Sequence, residues 1–239
     1  MVTDIHSNYT SPAGRECTLA AGRFAAVHPG SLALDIGCGY GEGAAVLARE
    51  FRCRVKAIDA NPENITFARE LAIERHVSHL IEFQTGDVRL ADYRDDVFDL
   101  IMAEGGVLSF LGRRAGLERA CEWLPPRGWF VFSDLILTSQ SPPSEVLAIF
   151  EHDTYHYETE ESYRALLREA GLAVQYMGLV PPSGWDNYYA HMARRLDDTR
   201  GFFADKRIKL AFHREIDVFY RLEALRYVGY LFGVARKES

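Results

Sequence analysis

Leu34-Asp35-Ile36-Gly37-Cys38-Gly39-Tyr40-Gly41-Glu42-Gly43 is the stretch whose reading decides the fold. It is a short apolar run that passes without a linker into a glycine-rich turn, and then into Gly43–Phe51, which carries small and apolar residues on one helical face. Glycines at 37, 39 and 41 remove side chains where a ligand must touch backbone, and they permit the positive φ angles of a tight turn. A dinucleotide fingerprint, G-x-G-x-x-G, would place its third glycine at position 42, where this chain has Glu42. An acidic side chain at a helix N-terminus repels a pyrophosphate. The turn therefore suits a ligand with a zwitterionic or cationic end better than a diphosphate.

Working outward, four further short runs have strand character: Arg54–Asp59, His79–Thr85, Phe98–Ala103 and Gly128–Leu135, with Ser31–Ile36 before the turn as the first. Helical patterns separate them. Pro62–Arg75 starts after Asn61 with proline at the first helical position, and Arg113–Trp123 stops ahead of Pro125-Pro126. Alternation of this kind indicates a parallel sheet covered by helices. The pattern changes after residue 137 at the polar, proline-bearing TSQSPPSE, which reads as a break. A helix over Thr159–Ala170, closed by Gly171, and strands at Leu172–Val180 and Tyr227–Ala235 follow. Between those strands Asp186–Leu225 carries apolar residues at a helical period and is too long for a hairpin loop, so a helical insertion is expected there.

The ends of the strands carry the chemistry. Asp59 falls 22 residues beyond Gly37, where a carboxylate can accept from both hydroxyls of a ribose. Gly86-Asp87-Val88 follows the third strand, and an aspartate there can accept from an exocyclic amine. Glu104-Gly105-Gly106 ends the fourth, at the carboxyl edge where open α/β sheets bind ligands.

In this order the motifs resemble the class I S-adenosylmethionine-dependent methyltransferases of small-molecule type, over Tyr9–Leu137 and again at Tyr227–Arg236. The resemblance implies an α/β, Rossmann-like seven-stranded sheet whose last strand is antiparallel, with a helical insertion between the last two strands. It implies S-adenosylmethionine as cofactor, with Asp35, Gly37, Cys38, Gly39 and Gly41 around the methionine part. Asp59 and Ala60 then lie at the ribose, Gly86, Asp87 and Val88 at the adenine, and Glu104 near the sulfonium. Ser11–Glu16 looks like the access arm of small-molecule members, with Tyr9 beside it. The expected division is an arm and helix over 1–28, a cofactor-binding core over 29–137, and a cover over 184–226, within one domain.

The acceptor is a small molecule on this reading, with the methylated atom (N, O, S or C) left open. Methylators of planar nitrogen show Asn or Asp followed by Pro-Pro and an aromatic after the fourth strand, and Glu104-Gly105-Gly106-Val107 departs from that entirely. Metal assistance would require several converging oxygens, of which Glu104 and Asp134 supply two, so no metal is expected. Tyr155, His156, Trp185, Tyr188 and Tyr189 are the candidate acceptor-site residues. Glu104 and His156 are the candidate catalytic groups, and His191 is a second histidine able to act as a base. Competing readings are a non-catalytic S-adenosylmethionine-binding protein and an NAD(P)-dependent oxidoreductase, the latter disfavoured by Glu42 and by the absence of a Tyr-x-x-x-Lys pair.

Composition narrows the partners. Lys and Arg number 27 against 34 Asp and Glu, a net charge of −7 that argues against nucleic acid and anionic membranes. Four scattered cysteines, Cys17, Cys38, Cys53 and Cys121, lack metal-ligand spacing and read as reduced thiols. The N-terminal residues show neither a basic nor an apolar leader region, and no membrane-length apolar run occurs, so a cytoplasmic location is expected. A homodimer is left open.

Overall fold

The computed structural model describes residues 9–150, 157–198 and 204–238. Its centre is a seven-stranded sheet: β1 (Leu32–Ile36), β2 (Arg54–Asp59), β3 (Ile81–Thr85), β4 (Leu100–Ala103), β5 (Trp129–Leu137), β6 (Leu172–Leu179) and β7 (Val228–Lys237), in the order β3-β2-β1-β4-β5-β7-β6. Every pairing is parallel except those of β7, which runs antiparallel to both β5 and β6. The expected seven-stranded sheet with an antiparallel last strand is therefore present. The strand order reverses at β1/β4, so the chain leaves these two strands toward opposite sides and opens a crevice at their carboxyl ends.

Burial follows topology. The four residues of β4 are all buried and only the first of β1 is not, so β4 reads as a continuous apolar run and β1 as one interrupted by Asp35 alone, in keeping with strands covered on two faces. The edge strands β3 and β6 alternate or stay exposed, and β6 carries a bulge between Val174 and Tyr176. On one face lie α1 (Gly14–Phe24), α2 (Glu42–Phe51) and α3 (Pro62–Glu74), packed on Ala33, Val55, Ala57 and Met102. The other face takes α4 (Val107–Leu111), α5 (Arg113–Trp123) and α7 (Glu160–Glu169), on Leu34, Ile58, Ile101 and Phe132.

Helix starts are set locally. Asn61 Oδ1 accepts from the Glu63 N–H at 2.9 Å ahead of Pro62, and Thr159 and Ser162 form a reciprocal capping box at the start of α7. The structure departs from the sequence reading in three places. Within and beyond the stretch read as a break, Ser144–Phe150 forms α6, a seven-residue helix too short to show a period. Val107–Leu111 forms α4, shorter still and hidden behind two glycines. Among the described residues, the section between β6 and β7 forms two α-helices, α8 (Pro182–Arg194) and α9 (Lys206–Arg221), with α8 beginning four residues before the expected start because Pro182 opens it.

One buried polar network ties the second face together. Asp134, fully buried in β5, accepts from Arg113 Nε at 2.9 Å and from the Leu135 N–H at 2.8 Å, and Tyr163 Oη donates to the same carboxylate. Arg113 Nε also reaches Tyr163 Oη at 2.8 Å, so α5, β5 and α7 share one charge pair. Removing one partner of a buried pair strands the other charge, whereas removing a neutral hydroxyl loses a hydrogen bond. Arg113→Leu should therefore lower unfolding free energy by about 3–5 kcal/mol and Tyr163→Phe by about 1–3 kcal/mol, read from urea denaturation. Equal, small losses would show that the pair does not hold these elements.

Candidate functional site

The glycine turn is hooked to the neighbouring strand before any ligand is considered. The Gly37 and Cys38 N–H groups both donate to the Ile58 carbonyl, at 2.8 and 3.1 Å, and the Gly41 N–H closes the turn on Cys38 O at 2.8 Å. The three glycines have separate tasks. All have positive φ, but a Cβ on Gly37 would lie 2.3 Å from Val107 Cγ2 and one on Gly41 2.7 Å from Ala68 Cβ, while one on Gly39 would meet nothing within 4 Å. Gly37 and Gly41 are thus required by packing. Gly39 faces open space.

Asp59, at the end of β2, fixes that turn from below. Its Oδ2 accepts from the Gly39 N–H at 2.9 Å, and Oδ1 accepts from the Asn61 N–H at 2.9 Å and Asn64 Nδ2 at 3.1 Å. An ionised carboxylate has about four acceptor sites, so one position remains beyond these three. Ala60 beside it is exposed, and Gly86 is tied to the same strand end through its N–H to Asp59 O at 3.0 Å.

Two cavities meet at this edge. The smaller, about 50 Å³, is lined by the turn from Gly37 to Gly43 save Gly41, by Tyr9–Ser11 of the arm, and by Asp35, Glu104 and Gly105. Three carboxylates converge there. Asp35 and Glu104 oxygens lie 3.2 and 3.8 Å from where a Gly43 Cβ would be, and Glu42 faces Arg75 across 3.6 Å. Glu104 Oε2 accepts from Thr18 Oγ1 at 2.7 Å, and Thr18 Oγ1 accepts in turn from Tyr9 Oη at 2.9 Å. Glu104 Oε1 is buried with no hydrogen-bond partner among the described residues. Burial raises its pKa to about 7, and burial together with the charge of Glu104 pushes Asp35 well above the carboxylate range. An uncompensated buried carboxylate is a standing request for a cation or a donor.

The larger cavity, about 450 Å³, shares Thr10, Gly39, Tyr40 and Gly105 with the smaller. Its other walls come from the carboxyl end of β5, from α4, from α6, and from α8 and α9, including Trp185 and Tyr188. Trp185 is 2% exposed and stacks on Phe219 with ring centroids 4.9 Å apart. Arg195 sits 4.8 Å above the Tyr40 ring.

Not every residue singled out from sequence reaches these cavities. Tyr189 is turned into the core between α8 and α9, where its hydroxyl donates to Glu215 Oε1 at 3.0 Å, so it buttresses the wall and does not line it. Asp87 is held by Arg89 through the backbone N–H, Nε and Nη2, at 2.6–3.0 Å, which also lowers its pKa, and Val88 is buried in the core. Both lie outside the two cavity linings. Tyr155 and His156 fall outside the described residues. His191 is packed with neither ring nitrogen hydrogen-bonded among the described residues, and burial lowers its pKa to about 4. The sequence reading passed over Thr18, Tyr40, Asn64, Phe110, Glu215 and Tyr230. Asn64 had a faint signal, one turn into a helix that opens at the ribose-range aspartate; Glu215 had none, standing among the charges of an ordinary amphipathic helix.

The fold is that of a doubly wound α/β domain with the class I methyltransferase strand order. Residues 33–128 match the family model described as a methyltransferase domain. That match runs from β1 to the residue before β5 and so holds the glycine turn, Asp59 and Glu104. It is 28% identical over 189 residues to phosphoethanolamine N-methyltransferase 3 of Arabidopsis thaliana, covering 79% of this chain and 37% of that protein. A sarcosine/dimethylglycine N-methyltransferase of Halorhodospira halochloris is 32% identical over 146 residues, 60% of this chain and 52% of that one. The chain thus spans about a third to a half of these relatives' lengths. Among solved structures, a SAM-dependent methyltransferase of Geobacter sulfurreducens in complex with S-adenosyl-L-homocysteine superposes with TM-score 0.78 at 21% identity, covering 98% of this chain and 95% of that one. The [4+2]-cyclase SpnF superposes at 0.74 with 19% identity, covering 94% and 80%, so the fold by itself does not fix the reaction.

No group of three or more His, Cys, Asp or Glu placed to hold a metal occurs among the described residues, and no described helix is long and apolar enough to cross a membrane.

The clustered carboxylates set a pH dependence. A carboxyl whose folded pKa exceeds its unfolded one holds its proton more tightly in the folded state, so the stability it lends is present below its ordinary value of 4.5 and is lost as pH rises through about 7. The ligand-free protein should lose melting temperature between pH 5 and pH 8, and Glu104→Gln should flatten that slope, leaving the part due to Asp35 and Glu215. An unchanged slope in Glu104→Gln would place the titration elsewhere. In the same assay Gly41→Ala should be destabilised at every pH, because the added methyl overlaps Ala68.

Proposed function

We propose that the chain is an S-adenosylmethionine-dependent methyltransferase acting on a small-molecule acceptor. The observation that carries this is the junction itself: a small acidic cavity beneath a glycine turn opens, at Thr10, Gly39, Tyr40 and Gly105, into a larger aromatic one. The residues present fit the donor. Gly39 leaves room where a Cβ would meet nothing, and Glu104 Oε1 lacks a partner. When bound, S-adenosylmethionine supplies an activated methyl group on a positively charged sulfur.

On this reading Asp35, Glu42 and Glu104 face the positive charges of the methionine part. Asp59 uses its remaining acceptor position for the ribose, with Ala60 beside it, and Gly86, Asp87 and Val88 border the adenine end, where Asp87 must share its carboxylate with Arg89. Cys38 and Gly39 give backbone contact along the turn. Tyr9, through Thr18, latches the arm over Glu104 and excludes water there. Trp185 and Tyr188 shield the acceptor side, and α8 with α9 serves as the cover. Alignment of acceptor and methyl in a dry cleft is the main demand of this chemistry, and the meeting of two cavities supplies it. The relatives named as N-methyltransferases support a small nitrogenous acceptor.

Calorimetry with S-adenosylmethionine, S-adenosylhomocysteine and NAD tests the donor. Both adenosyl ligands should bind and NAD should not; NAD binding alone would overturn the reading. Asp59→Ala should weaken S-adenosylmethionine by about 1–3 kcal/mol through loss of charged hydrogen bonds and of the anchor on Gly39. Gly39→Val should abolish binding while keeping the folded circular-dichroism spectrum, since a Cβ there meets no protein atom within 4 Å and enters the donor's space, while the positive φ adds strain within the turn itself.

A further inference from the structure

We infer that the larger cavity selects a basic amine borne on an apolar or aromatic body, favouring it over the matched alcohol and over acceptors bearing a phosphate or carboxylate. This rests on the methyltransferase reading and names the substrate class of that site.

The lining is one-sided in charge. Glu215 and Asp134 both border the cavity, and no Lys, Arg or His is among the described residues that line it. The two acids differ. Asp134 is already neutralised by Arg113, behind the wall. Glu215 has one hydrogen bond among the described residues, from the Tyr189 hydroxyl to Oε1, which leaves its other oxygen for a ligand. Burial raises its pKa to about 7, so near neutrality it can meet an amine in either protonation state. The nearby cation, Arg195, is not among the lining residues; it pairs with Asp198 through Nε at 3.0 Å and lies over the Tyr40 ring, with Nη1 buried and without a hydrogen-bond partner among the described residues.

Aromatic surface makes up much of the remainder: Tyr40, Phe110, Phe150, Trp185 and Tyr188. Such walls favour an apolar body and attract a cation through the ring faces. An anion would instead face Glu215, with no cationic side chain among the described lining residues to offset it. The site thus departs from the acceptors in the relatives' names, since phosphoethanolamine and sarcosine each carry an anionic group.

The test is calorimetry on the full chain saturated with S-adenosylhomocysteine, using matched probes: 2-(4-methoxyphenyl)ethylamine, the corresponding alcohol, 3-(4-methoxyphenyl)propionate and phosphoethanolamine. The methoxy amine should bind at least about tenfold more tightly than the other three. Glu215→Gln should bring amine and alcohol within about twofold of each other while leaving S-adenosylhomocysteine affinity unchanged. Preference for phosphoethanolamine or the propionate, or no amine binding to protein that does bind S-adenosylhomocysteine, would overturn the inference and leave the donor reading intact. Failure of S-adenosylhomocysteine itself to bind would overturn the donor reading, and the same titrations on ligand-free protein would then decide the cavity's preference directly.

Discussion

A carboxylate held out of water with one oxygen unpaired is the constraint around which the ligand edge is arranged. Glu104 ends β4 at the point where the strand order reverses, and every element that meets there accommodates its charge. Thr18 on α1 satisfies Oε2, Tyr9 secures Thr18, and Asp35 is pushed toward its protonated form by burial and by the charge of Glu104. The fold tolerates this cost because topology places β1 and β4 side by side with both faces covered. A cationic ligand would relieve it. The electrostatics and the geometry therefore favour the same occupant.

The glycine turn shows how backbone freedom is divided between folding and binding. Gly37 and Gly41 sit against Val107 and Ala68 and could not be replaced even if no ligand existed, whereas Gly39 is bounded by nothing. Asp59 then holds Gly39 through its N–H, so one side chain both fixes the turn and keeps an acceptor position in reserve. Affinity and stability are coupled through this contact.

Much of the core was legible in the sequence because a parallel sheet imposes strong local signals: short apolar strands, glycine after β1, Asp59 after β2, Asn61-Pro62 at a helix start. Asp59 and Glu104 could be picked out on that basis, and Trp185 and Tyr188 as aromatics at the start of the section that the sheet motifs leave unexplained. What could not be read depends on tertiary placement. Glu215 and Tyr230 enter the larger cavity only because α9 and the antiparallel β7 return across the sheet, and Tyr189, whose ring lies 5.0 Å from that of Tyr188, packs between α8 and α9 without lining it. Asp87 shows a further effect of tertiary and local pairing. Its position after β3 is the expected one, yet Arg89 two residues later occupies most of its carboxylate, a pairing that no spacing rule announces. Helices of five and seven residues, α4 and α6, are too short to carry a period at all.

The central claim is that the acidic cavity and the aromatic cavity are the donor and acceptor halves of one site. A crystal structure of the full chain with S-adenosylhomocysteine tests it most directly. The account predicts the amino-acid end among Asp35, Gly37 and Glu104, the ribose at Asp59, and the sulfur at the junction by Gly39, Tyr40 and Gly105, facing Trp185 and Tyr188. A ligand seated away from that junction, or with its sulfur turned from the larger cavity, would contradict it.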